Sequence, residues 1–291
     1  MKHFEKLCII GVGLLGGSLA RVCKKKNLVA SVSGFGRNLE SLELAKQLGV
    51  IDMYSDDLAE AVKDADLIVF CSPVGTIVSR LREALPHLNP GCLITDVGSV
   101  KLSLVSEIDA MIPENLFFVG SHPIAGGEKS GVSASTDDLF CGAKCIVTPS
   151  GKTSDLALSK LRNFWAEVGM EVIEMSAEEH DLILGAVSHL PHVIAFTLIN
   201  TLTDVQSKNC DNVSNFSGKG LKDSSRIAAS DPVMWRDICL QNKETLLNLI
   251  GEFQRKLDLI RQYIENNQSE QLESSFRKAQ KRRLEMTCDE K

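Results

Sequence analysis

In the stretch GSHPIAGGEKSG (residues 120–131) a histidine stands directly before a proline, at what reads as the end of a strand, and glycines follow at 126, 127 and 131. An imidazole titrates near neutral pH, so His122 is suited to taking a proton from a hydroxyl. The glycines would let a substrate, or a lid, come close. The plainer reading is a histidine that caps a strand end. Ser99, in DVGSVK (96–101), closes another apolar run. His189 and His192, in SHLPH, are three apart and so share one helix face, and Pro191 between them removes a helical hydrogen bond and kinks the helix. Such a pair could be half of a metal site, but no third ligand of suitable spacing is evident, and no metal is expected. Further on, GLKDSSRIAASDPVMWRDI (220–238) sets Lys222 and Arg226 four apart, ahead of Trp235. Arg226 could fork onto a carboxylate with Lys222 adding positive field, or both could be solvated surface charges.

These residues need elements to hold them. Short apolar runs alternate with amphipathic stretches through the first half, the pattern of a parallel sheet with crossover helices. Strands are expected at 7–10, 30–35, 67–71, 93–96, 117–120, 144–148 and 171–174, with helices at 14–26, 39–48, 74–85, 101–111 and 154–168. His122 would follow strand 117–120 and Ser99 would follow strand 93–96, on one carboxyl edge.

That edge also carries LCIIGVGLLGGSLA. Gly11, Val12, Gly13, Leu14, Leu15 and Gly16 form G-x-G-x-x-G between a strand and a helix. Gly11 would permit the tight turn, Gly13 the approach of a pyrophosphate, and Gly16 close helix–strand packing. The helix N-terminus would offer free N–H groups to the phosphates. The acid expected about 20 residues on, for a ribose 2′-hydroxyl, is missing: position 36 is glycine and Arg37 follows. Arginine there tilts the cofactor from NAD towards NADP by pairing with a 2′-phosphate, although it could equally stack on adenine. Ser72 and Pro73, in CSPV, end another strand and are placed against the nicotinamide half. A serine and a histidine converging on a nicotinamide suggest oxidation of an alcohol.

After about residue 176 the strands stop. The run 181–205 is apolar nearly all round, 232–266 reads as one long amphipathic helix, and the tail as a charged one. The expected fold is therefore an α/β Rossmann-type dinucleotide-binding domain (1–175) followed by an all-α dimerisation domain (176–291). An apolar helix must be covered on every side, which calls for a second subunit, unless the α/β domain covers it. The formal net charge of −6 argues against nucleic acid as a partner. No leader and no membrane span are expected. Nine scattered cysteines without a CxxC pair read as reduced, buried thiols in the cytoplasm.

In order and spacing, GVGLLGGSLA, DVGSVK, SHPIAGGEKSG, EEHD…VSHLPH and KDSSRIAASDPVMWRDI…N resemble the prephenate/arogenate dehydrogenase family of tyrosine biosynthesis. The resemblance implies an NAD(P)-dependent oxidative decarboxylation of prephenate to 4-hydroxyphenylpyruvate. It implies that His122 accepts the hydrogen bond of the 4-hydroxyl with Ser99 orienting it, and that Arg226 holds the ring carboxylate. His189, His192 and Trp235 would line the substrate pocket, Lys222 would add charge, and Glu128 would be an acidic gate. Gly36 departs from the NAD-specific pattern. No regulatory or mutase segment is apparent. Arogenate is the alternative substrate; a β-hydroxyacid dehydrogenase or imine reductase shares the architecture but usually places a lysine or aspartate where SHLPH stands.

Overall fold

The computed structural model describes residues 4–127, 129–205 and 213–288. It has two compact units, Met1–Lys243 and Glu244–Lys291. Among the described residues the first contains nine strands: β1 (Phe4–Ile10), β2 (Val29–Phe35), β3 (Met53–Ser55), β4 (Leu67–Phe70), β5 (Leu93–Asp96), β6 (Phe117–Phe118), β7 (Gly120–Pro123), β8 (Lys144–Thr148) and β9 (Glu171–Glu174). Its helices are α1 (Leu14–Lys25), α2 (Leu39–Gln47), α3 (Leu58–Val62), α4 (Val74–Ala84), α5 (Leu102–Met111), α6 (Asp155–Val168), α7 (Ala177–Leu184), α8 (Leu190–Thr203), α9 (Lys219–Ser225) and α10 (Pro232–Gln241). The second unit holds nearly all of α11 (Lys243–Glu265) and all of α12 (Ser269–Cys288).

Six strands make a parallel sheet in the order β3-β2-β1-β4-β5-β6. Both of its faces are buried, so alternate residues of one strand feed different cores. Leu7 and Ile9 pack with Phe164 and Trp165, while Cys8 and Ile10 pack with Ile68, Phe70 and Ile94. Register then fixes function. Ile10 pairs with both Phe35 and Phe70, and Phe70 pairs with Asp96, so the segments beginning at 11, 36, 71 and 97 leave the sheet along one line. The strand order reverses beside β1, which is where doubly wound sheets take their ligand.

Several sequence expectations are corrected. The expected strand 117–120 is two strands: β6 ends the parallel sheet, and β7 belongs to a three-stranded sheet, antiparallel to β8, with β9 parallel to β8. His122 therefore lies within β7, opposite Ile146, rather than in a loop after a strand. Glycine marks the crossing because a Cβ on Gly120 would meet Thr148 Oγ1 at 2.6 Å. β3 and α3 are too short to show a period.

The apolar run forms one helix from Ala177 to Thr203, with a π turn over Gly185–His189 just before Pro191. Proline supplies no N–H and crowds the preceding turn, and a widened turn absorbs that defect. By length and composition alone this helix is long and apolar enough to cross a membrane, as the core helix of a soluble protein can also be. Its His180, Asp181 and His189 side chains, however, are buried and bonded into the protein interior, as described below. Leu182, Ile183, Val187 and Ile199 are exposed and only Ala195 of α8 is buried, so the α/β part does not cover it.

The long helix expected over 232–266 is broken at Asn242, between α10 and α11. The Asn242 side chain is drawn inward onto Asp181 and His189, and the backbone departs from helical geometry there. Cys8, Cys23, Cys71, Cys92, Cys141, Cys145 and Cys239 are free; Cys8, Cys23, Cys92 and Cys145 are buried, but Cys141 is exposed.

Candidate active site

The glycine loop is shaped by close approaches. Gly11 has φ +103°, and a Cβ there would stand 2.8 Å from the Cys71 carbonyl carbon and the Ser72 nitrogen. A Cβ on Gly16 would overlap the Gly11 carbonyl oxygen at 2.3 Å. Gly13, by contrast, faces open space, and no side chain caps the start of α1. Turn, packing and an uncovered helix N-terminus coincide as a phosphate cradle requires. Val12 is buried, and Leu14 and Leu15 begin α1. Pro73 precedes α4, and Ser72 Oγ is 2.9 Å from Thr76 Oγ1, holding that loop at the same edge. A Cβ on Gly36 would meet the Leu42 side chain first, at 3.5 Å, an ordinary contact, and Arg37 beside it is exposed.

Across the edge runs a chain of imidazoles. His122 Nδ1 is 2.8 Å from His180 Nε2, and His180 Nδ1 is 2.8 Å from Asp181 Oδ1. The Asp181 carboxylate takes the backbone N–H groups of Lys101 (2.8 Å, to Oδ1) and Leu102 (2.9 Å, to Oδ2) at the start of α5. Both oxygens already accept, so His180 must donate from Nδ1. It then accepts at Nε2, and His122 must donate from Nδ1. The lone pair of His122 is left on Nε2. Burial, the neighbouring His180 ring and the Lys101 ammonium hold His122 well below the usual imidazole range, so the ring is neutral. Burial likewise lowers His180, against the pull of Asp181.

Beneath this chain lies a fully buried ion pair between Lys101 and Asp96. Lys101 Nζ also donates to the Ser121 carbonyl (3.0 Å), and Asp96 accepts from Ser121 N (3.2 Å) and Gly98 N (2.7 Å). Trp165 Nε1 donates to Ser121 Oγ at 3.1 Å. The residue before His122 is thus gripped from three sides.

His192 stacks on Trp235, with ring centroids 3.6 Å apart and an interplanar angle of 22°, and His189 meets the same indole edge-on at 6.0 Å. Trp235 Nε1 is buried without a partner within the protein, and Gln241 Oε1 is likewise unpartnered. His192 Nδ1 is 2.9 Å from the Ser188 carbonyl. His189 is buried, with Nδ1 3.0 Å from Asn242 Nδ2, and the Ser99 backbone lies close enough to act on the ring. Burial pushes its pKa down to about 4.

The structure therefore gathers His122, Ser99, His189, His192 and Trp235. Lys222 and Arg226 are exposed, on α9 and the turn 226–229, both of which pack against α8. Glu128 lies outside the described residues. The loop that carries it reaches the dinucleotide edge at Gly127, whose added Cβ would touch Leu14 Cδ2 at 3.5 Å. Sequence reasoning missed Asp96, Lys101, His180, Asp181 and Asn242 as site residues. Their signals stood in the quoted motifs DVGSVK, EEHD and the terminal N, but nothing local tied them to His122. Among the described residues no group of three or more His, Cys, Asp or Glu side chains is arranged to hold a metal ion.

A glycine cradle at the switch point of a doubly wound sheet, with a neutral histidine held near it, belongs to the dinucleotide-dependent oxidoreductases. Residues 19–174 match the family model for the prephenate dehydrogenase nucleotide-binding domain, and residues 176–278 match that for its dimerization domain. The chain belongs to the prephenate dehydrogenase family. It is 37% identical to prephenate dehydrogenase of Bacillus subtilis over 94% of this chain and 74% of that protein. It is 34% identical to cyclohexadienyl dehydrogenase of Zymomonas mobilis over 99% of this chain and 98% of that one. The solved structure of Aquifex aeolicus prephenate dehydrogenase, in complex with hydroxyphenyl propionate and NAD+, superposes with a TM-score of 0.91 at 36% identity, covering 97% of this chain and 98% of that one.

Proposed function

We propose that this chain oxidatively decarboxylates prephenate to 4-hydroxyphenylpyruvate, passing a hydride to a nicotinamide dinucleotide. The observation that carries the reading is the chain His122–His180–Asp181, which leaves one neutral imidazole nitrogen free beside the dinucleotide edge. A bound nicotinamide supplies the hydride acceptor. The protein's own part is to receive the hydroxyl proton at His122 Nε2 while the carbon bearing that hydroxyl gives up hydride. As His122 gains charge, His180 and the Asp181 carboxylate stabilise it through the shared hydrogen bonds. Loss of carbon dioxide from the quaternary ring carbon aromatises the ring and makes the step irreversible. Ser99 orients the hydroxyl, Arg226 pairs with the ring carboxylate with Lys222 adding positive charge, His192 and Trp235 wall the ring, and Glu128 gates the entrance.

The cofactor preference is NADP over NAD, on the support of Gly36 and the exposed Arg37. Gly11 to Gly16, Ser72 and Pro73 hold the dinucleotide within a domain of residues 1–175. Residues 176–291 form a helical domain that pairs two copies, supported by the exposed apolar side chains of the 177–203 helix. The free thiols suit the reducing cytoplasm. The test is a two-by-two assay of prephenate or arogenate with NAD+ or NADP+, followed at about 340 nm. Prephenate with NADP+ is expected to give the highest kcat/KM; faster turnover of arogenate would reassign the substrate.

A further inference from the structure

Asn242 ends α10 with its amide buried. Its Nδ2 lies 2.8 Å from the Asp181 backbone oxygen and 3.0 Å from His189 Nδ1. A backbone carbonyl only accepts, so the atom facing it is the amide nitrogen and not the amide oxygen. The second proton of that nitrogen points at His189 Nδ1, which must then hold a lone pair. The His189 proton is then on Nε2, and the Ser99 backbone lies close enough to act on the ring. At 1% exposure, with Nδ1 spent on Asn242, the ring is sealed from a substrate.

We propose that Asn242 and His189 are positioning residues that set the Ser99 loop against the His122 base, and that His189 does not bind substrate. One amide ties the loop after β5 to its surroundings. Through Asp181, whose carboxylate accepts their N–H groups, Asn242 reaches Lys101 and Leu102, just past Ser99, and it fixes the His189 ring on which the Ser99 backbone acts. Asp181 also orients His180, and His180 orients His122. Serine hydroxyl and imidazole are therefore referred to a common anchor, far along the chain from both. The inference rests on the proposed roles of Ser99 and His122.

Two measurements on the full chain test it. In the wild type at pH 7, the ¹⁵N shifts of the His189 ring, assigned by their loss in His189→Gln, should show a neutral ring protonated on Nε2. A proton on Nδ1, or an imidazolium, overturns the proposal whatever the substrate is. In kinetics, His189→Leu and Asn242→Ala should lower kcat by about 10- to 100-fold, the scale of a small misplacement, with substrate KM and dinucleotide affinity within about twofold. His189→Gln, which keeps an N–H for the Ser99 backbone, should recover most of the loss. A raised KM with kcat intact, or a glutamine variant no better than leucine, overturns it. A wild type that oxidises neither prephenate nor arogenate would sink the functional reading and leave the tautomer to decide this one.

Discussion

His122 Nδ1 and His180 Nε2 stand 2.8 Å apart, joining a strand of the small sheet to a helix 58 residues further along the chain. The contact directs the His122 lone pair. Its inner nitrogen is committed to a partner that is itself anchored to Asp181, so only the outer nitrogen is left to accept a proton.

Replacing that nitrogen should remove proton acceptance and little else. His122→Asn is expected to lower kcat by about 10²- to 10⁴-fold, the usual contribution of a positioned base. Dinucleotide affinity, measured by fluorescence titration, should stay unchanged. Turnover close to wild type would take His122 out of the chemistry.

Arg226→Ala should act on binding. Losing a charge-assisted pair with a carboxylate weakens substrate by roughly 10- to 100-fold, seen as a raised KM with kcat largely kept. If KM does not move, Arg226 is not a substrate ligand.

The end of β2 should decide the dinucleotide. Arg37→Ala is expected to raise KM for NADP+ several-fold more than KM for NAD+. Gly36→Asp would place its Cβ in ordinary contact with Leu42, at 3.5 Å, and should reverse the preference by offering a carboxylate to the 2′-hydroxyl and repelling a 2′-phosphate. Equal effects on both cofactors would mean that neither residue meets the ribose.

Acid should loosen the fold through its buried imidazoles. Burial lowers His122, His180, His189 and His192 alike, so the native state favours neutral rings that the unfolded chain protonates near pH 6.5. Stability is then complete above about pH 6.5 and falls as pH drops towards the folded values, because the unfolded state binds more protons in that window. His189 alone, going from 6.5 to about 4, accounts for about 3 kcal/mol lost by pH 4. Urea midpoints measured between pH 7 and 4.5 should decline, and less steeply in His189→Gln. A flat profile would show these rings to be charged or solvent-accessible in the native state.

Much of this was legible before any coordinates. The apolar runs for β1, β2, β4, β5, β8 and β9, and the helices between them, were readable because each has a local period that burial imposes. The glycine loop was readable because its turn, close approach and helix start are all demanded of neighbouring residues. His122, Ser99, His189, His192 and Trp235 stood out by residue type in a setting that packing alone does not explain.

The partnerships did not stand out. Asp181 anchors the start of α5 from 80 residues away, and Asn242 reaches His189 across 53. Such bonds have no period, and each partner alone reads as an ordinary polar residue on a helix. The crossing at Gly120, which moved His122 from a loop into β7, was hidden for the same reason: FFVGSHP is a single extended run in sequence. Sequence by itself determined which elements form and which residues can do chemistry, since both depend on neighbours in the chain. Only the tertiary structure decided which nitrogen of each histidine is free, since that depends on donors and acceptors brought together from distant segments.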